Sequence, residues 1–167
     1  MHNAFRLIIE AAGLQIVVLL LPGPDFTLVS SGALLSSRKT AHLNTLGVTI
    51  GAVIQVTMAL LGLSVLIAHS SSLFNIIKLV GGLYLLWLSY TYVRQIKDPP
   101  AAKKPQNSQS PRRTPLVKGL LTDLSNPKSL LFYTTVFAVV LNTNTSLIIR
   151  LVVGFNIVAV TFIYYWV

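Results

Sequence analysis

The sequence predicts an all-α protein, a polytopic bundle of membrane-spanning helices. Hydrophobic residues make up 53% of the 167 positions and charged residues only 10%, against the roughly 25% charged that is usual for soluble domains. Mean hydropathy is +0.71. The charges are gathered between long oily stretches rather than spread along the chain, as expected of a chain that crosses lipid repeatedly.

Five apolar runs are long enough to cross a hydrocarbon core of about 30 Å, which takes roughly 20 helical residues: 5–35, 43–68, 73–96, 116–141 and 147–167. None alternates with a period of two, which argues against a transmembrane barrel. Helices then remain as the structure that satisfies every backbone group in lipid. Arg6 ahead of the apolar stretch 7–21 resembles a signal peptide, but no small-x-small site follows directly and hydrophobicity resumes beyond Pro24. The first run is therefore expected to be retained as a span. Residues 97–115, KDPPAAKKPQNSQSPRRTP, hold nothing that builds a core and read as a flexible polar connector. The expected domains are a three-helix repeat over 1–96, a cytoplasmic polar linker over 97–117 and a second, incomplete repeat over 118–167.

Charge sets the expected orientation. Nine Lys and Arg residues follow runs one and three, from Arg38 and Lys39 to Arg112, Arg113 and Lys118, against three (Arg6, Lys78 and Arg150) on the other side. The positive-inside rule then places the amino terminus outside and the 97–117 loop in the cytoplasm. Trp87, Tyr90 and Tyr92, and likewise Tyr164, Tyr165 and Trp166, suit interfacial belts. Topology explains the net charge of +9 better than nucleic acid does, and no nucleic-acid partner is expected. Without cysteine there is no disulfide or thiolate site. No metal site, cofactor or enzyme activity is expected: no serine–histidine–acid set and no metal-ligand cluster is visible, and His42 and His69 stand at span ends.

Run one, about 31 residues, would extend roughly 46 Å as one straight helix, too long for a single crossing. It is interrupted by Pro22-Gly23-Pro24, which removes backbone donors and predicts two half-helices or a sharp bend. Asp25 follows directly, and an ionisable group within a span is a functional candidate by default. Run four carries a similar break, Asn126-Pro127, followed by Lys128, with Asp123 shortly before it. Pro24 and Pro127 are 103 residues apart, and the same offset takes Gly51 to Gly154. A repeat of three spans must be inserted upside down in its second copy, so the pattern predicts an inverted 3+3 repeat, the plan of many secondary transporters. Their binding sites lie near the midplane where half-helices end. Five of the six spans are expected here. Span three should recur near 176–199, so the chain reads as one lacking the sixth helix.

Plainer roles stand beside these. Asp25 could cap a half-helix, Lys128 could snorkel to the interface, and Gln55 and Asn156 could simply bond a neighbouring helix. Gly47 and Gly51 form a G-x-x-x-G packing signal, and Gly81-Gly82 is read the same way.

PGPDF at 22–26, LGVTIGAVIQ at 46–55, ALLGL at 59–63, KLVGGLYLLWLSY at 78–90, KGLLTDLSNPKSLLFY at 118–133 and VF at 136–137 together resemble the lysine/threonine exporter family (LysE/RhtB) of bacterial inner-membrane amino-acid exporters. The threonine/homoserine branch is the most similar. Ala41 and Ser89 stand where the family often has glycine. The resemblance implies a six-span secondary transporter driven by the proton gradient. It would move threonine, homoserine or related amino acids out of the cytoplasm across the lipid bilayer. It implicates Pro22, Gly23, Pro24, Asp25, Asn126, Pro127 and Lys128, to which the residues themselves add Gln55, Asp123 and Asn156 as candidates for the substrate and proton pathway. A half-helix N-terminus would receive the substrate carboxylate. Asp25 would bind its ammonium group or exchange a proton. The alternative is a fragment that inserts and assembles with other membrane subunits without transporting. Whether the chain forms a homo-oligomer is left open.

Overall fold

A computed structural model describes residues 2–69, 114–140 and 145–166, together with isolated positions between 72 and 94. Six helices are delimited in it: α1 (His2–Leu20), α2 (Pro24–Leu35), α3 (Arg38–His69), α4 (Pro115–Leu124), α5 (Pro127–Val140) and α6 (Leu147–Trp166). No strand occurs among the described residues. The third predicted span, 73–96, Gly81-Gly82, Lys78 and the linker up to residue 113 lie wholly or largely outside the described residues.

Both predicted breaks are present. The first run divides into α1 and α2, with a bend of 60° between Phe5–Leu20 and Pro24–Leu35. Pro22 and Pro24 have no N–H to give the α1 carbonyls, so the first helix ends there. Pro24 then opens α2 at its first position, the one place where a missing donor costs nothing. The second break divides 116–141 into α4 and α5, again with proline, Pro127, at the first position of the new helix. Second-run helix α3 begins five residues ahead of the apolar stretch because Ser37 caps it: Ser37 Oγ accepts the Thr40 N–H at 3.1 Å.

The helices form an inside-out protein. Leu34, Ile148 and Phe155 are 83%, 74% and 76% exposed, whereas Gln15, Asp25, Asp123 and Asn126 are 1%, 4%, 1% and 2% exposed. Water would invert that arrangement, and lipid permits it. Among the described residues two helices, α3 and α6, carry enough apolar length to cross a membrane, or three spans if α1 and α2 form one broken crossing. The molecule is a polytopic helical membrane protein.

Helix α3 is the central post, packing on α2, α4, α5 and α6. Its closest partner is α4, and small residues make the approach possible. A Cβ on Gly47 would run into the carbonyl oxygen of Leu116, and one on Gly119 into that of Asn44. One added to Gly51 would come within 2.9 Å of the Asp123 Cβ. Elsewhere Ala52 and Val56 of α3 join Phe137 of α5 and Val153 and Ile157 of α6 in the main apolar cluster. Gly154 sits there, 3.2 Å from Val56 Cγ1 when given a Cβ.

This packing predicts opposite outcomes for two glycine-to-alanine changes. Gly119→Ala should lower the thermal midpoint of the detergent-solubilised protein, at a cost of about 1–3 kcal/mol, because backbone must move. Gly62→Ala, with open space around it, should leave the midpoint unchanged or raise it through better helix propensity. Equal midpoints for both variants would refute the close α3–α4 contact.

Candidate functional site

The two breaks meet. Asn126 occupies the N-cap position of α5, and its Oδ1 accepts the backbone N–H of Lys128 at 3.0 Å, satisfying one of the helix's orphan donors. The Nδ2 of the same side chain donates to Asp25 Oδ2 at 2.6 Å. Ser129, one α5 residue beyond Lys128, donates its hydroxyl to that oxygen at 3.1 Å. Asp25 is in the first turn of α2, where the positive end of the helix dipole favours a carboxylate.

Lys128 does not snorkel to an interface. It is 7% exposed, and its ammonium donates to the carbonyl oxygen of Leu21, at the end of α1. That carbonyl lies where Pro22-Gly23-Pro24 has stripped the helix of its next donors, and a cation at a helix C-terminus is favourable. Asp123, near the end of α4, is tied to α3: Gln55 donates through Nε2 to the Asp123 carbonyl and, at 3.2 Å, to its Oδ2. The N–H of Asn126 donates to the same carbonyl at 2.9 Å.

Asp25 and Asp123 line one small cavity of about 20 Å³ with Lys128, Ser129, Tyr133 and Gln15, room for about one water molecule. The chain thus brings two carboxyl groups, from α2 and α4, to one buried space. Each keeps one oxygen, Oδ1, buried and without a hydrogen-bond partner.

The remaining sequence candidates fall into two groups. Pro22, Gly23, Pro24 and Pro127 shape the breaks without lining the cavity, and Gln55 acts through Asp123. Asn156 is half-buried on α6 and is not brought to the cavity. Gln15, Ser129, Tyr133, Thr161 and Tyr165, which do line it, were not among the candidates. A signal existed for several of them: Ser129 and Tyr133 are four apart on α5, as are Thr161 and Tyr165 on α6, so each pair shares a helical face. Gln15 is the one amide in the apolar stretch 7–21.

Broken membrane helices that deliver buried charged groups to a shared cavity define a class, that of polytopic transport proteins with interrupted spans. The particular family is given by comparison with known proteins. Residues 16–167 match the family model described as LysE type translocator, and the chain belongs to that family. It is 39% identical over 140 residues to the threonine efflux protein of Salmonella typhi, covering 83% of this chain and 68% of that protein. The threonine efflux protein of Escherichia coli K12 is 38% identical with the same coverage. The leucine efflux protein of Klebsiella pneumoniae is 28% identical over 129 residues, 77% of this chain and 60% of that protein. No solved structure matches the chain significantly.

Asn126 holds the site together, so its two bonds should be separable. Asn126→Ala removes both and is expected to cost about 1–3 kcal/mol of stability in detergent unfolding. Asn126→Asp keeps an acceptor for the Lys128 N–H but replaces the donor to Asp25 with a second negative charge, so it should be at least as damaging. An Asn126→Asp protein as stable as the parent would remove the Asp25 bond from the account.

Proposed function

We propose that this protein exports amino acids from the cytoplasm by exchange with protons. The observation that carries the proposal is the convergence of two proline-marked breaks on one buried cavity edged by Asp25 and Asp123. Family membership and the efflux names of the relatives favour the same reading. Threonine, homoserine or a related amino acid is the proposed substrate, and the bacterial inner membrane the proposed location. The amino terminus would be outside and the 97–117 loop cytoplasmic.

The proposed frame is the inverted repeat. Gly23-Pro24-Asp25 and Asn126-Pro127-Lys128 occupy corresponding places, the N-cap and first two positions of a half-helix, and they bring opposite charges to one depth. In the exchange cycle a proton shared by Asp25 and Asp123 is given up toward the cytoplasm, freeing the pair to take the ammonium group of the substrate. On the outer side proton return displaces that group. One site thus holds either cargo or proton, which is the requirement for antiport. Asn126 and Ser129 keep Asp25 aimed at the cavity throughout, while Gln55 does the same for Asp123.

Efflux of radiolabelled threonine from loaded cells or proteoliposomes tests this. Wild-type efflux should accelerate with an inward proton gradient and slow when a protonophore collapses it. Asp25→Asn should lose at least about tenfold in rate and its dependence on the gradient, the effect expected when a transition-specific charge is removed. Stable insertion of the wild-type chain without efflux of any amino acid in a full panel would defeat the exporter reading.

A further inference from the structure

Gln15 was not among the candidates from sequence, yet it is the most enclosed polar side chain among the described residues of α1, 1% exposed. Its Nε2 donates to the backbone carbonyl of Ile157 at 2.7 Å and to Thr161 Oγ1 at 2.8 Å. A backbone carbonyl only accepts, so the amide can sit in one orientation alone, with both of its N–H groups spent on α6. What remains is Oε1, which is buried and has no partner. Gln15 lines the cavity that holds Asp25 and Asp123, whose Oδ1 atoms are equally unpartnered.

A buried acceptor without a partner is unfavourable, and three of them on residues that line a space the size of one water point to a donor as its occupant. The donor has to be small, to fit about 20 Å³, and it has to offer several hydrogens. A primary ammonium group offers three. The two carboxylates favour a cationic occupant over an anionic one, and Lys128, which also lines the cavity, already gives its ammonium to the Leu21 carbonyl.

We infer that the cavity is the seat of the substrate's α-ammonium group and that Gln15 Oε1 is its neutral third acceptor, beside the Asp25 and Asp123 carboxylates. This rests on the exporter reading and adds a residue and a chemical selectivity to it. A proton can replace an ammonium between two carboxylates, but it leaves the amide oxygen of Gln15 empty. Gln15 therefore favours cargo over proton without carrying charge, and it ties that preference to α6 through Ile157 and Thr161.

The test compares kinetics of threonine efflux in the full chain and in Gln15→Met, which keeps length and loses the acceptor. KM for threonine should rise about tenfold, the worth of one hydrogen bond to a charged group, with kcat within about twofold. Inhibition by the 2-hydroxy analogue of threonine, which has no ammonium, should not change. In the wild type, methylammonium should compete with threonine and tetramethylammonium, which has no N–H, should not; this arm holds even if the variant fails to insert. An unchanged KM in an inserted variant overturns the role of Gln15 while leaving export intact. Equal competition by the two amines, or competition by sodium without methylammonium, overturns the ammonium site. Absence of wild-type efflux overturns both this inference and the reading beneath it.

Discussion

The hydrogen bond from Asn126 to Asp25 is the constraint on which the rest of the structure depends. Two helices interrupted by proline would each leave donors and acceptors stranded in hydrocarbon, where every such group costs several kcal/mol. One asparagine addresses both interruptions: its oxygen caps α5 and its amide holds the carboxylate at the head of α2. Remove the asparagine and the breaks become two separate defects. With it they form a single polar centre, and a carboxylate can be kept in an apolar medium in a fixed direction.

The charges are arranged by the same logic. Asp25 and Lys128 hold corresponding positions in their half-helices, yet Lys128 is not spent on Asp25. Its ammonium reaches past the break to Leu21 and completes the end of α1. The Asp25 carboxylate is thus steadied by neutral donors, Asn126 and Ser129, rather than locked in an ion pair. An ion pair here would be difficult to open, since separating buried partners costs about 3–5 kcal/mol. Neutral donors fix where the carboxylate points and leave its other oxygen free to exchange one partner for another.

Much of this was legible before any coordinates. Proline in a span, followed by a charge, marks a break by simple donor counting, and the breaks at Pro22–Pro24 and Asn126-Pro127 lie where that counting puts them. Gly47 and Gly51 likewise announce a close approach, although not that the partner would be α4. Lys128 was harder. Its distance from the start of the run suits snorkelling, and only the position of the Leu21 carbonyl in space gives it another use. Gln15 was invisible for a related reason: one amide in an apolar run has no local signature, and its meaning comes from Ile157, 142 residues away. Asn156, by contrast, sits mid-run like a pore-lining residue, but the turn of α6 gives the cavity to Thr161 and Tyr165, which are four residues apart.

A cavity this small has a consequence for motion. An amino acid with its carboxylate and side chain cannot enter a space of about 20 Å³, so any passage of cargo requires the walls to part. Those walls are α1 and α6 on one side, joined by Gln15, and the α2 and α5 starts on the other, joined by Asn126. Helix α3 is packed too closely on α4, through Gly47, Gly51 and Gly119, to slide without backbone collision. The pair therefore moves as one body carrying Asp123, held by Gln55. Helix α2 is fastened to that body too, since Asn44 of α3 donates to the Leu28 carbonyl at 3.3 Å and Asn126, whose N–H bonds the Asp123 carbonyl, holds Asp25. In the proposed exchange cycle, the wall that parts is then the α1–α6 side joined by Gln15, and parting it is the same event as exchanging what the site holds.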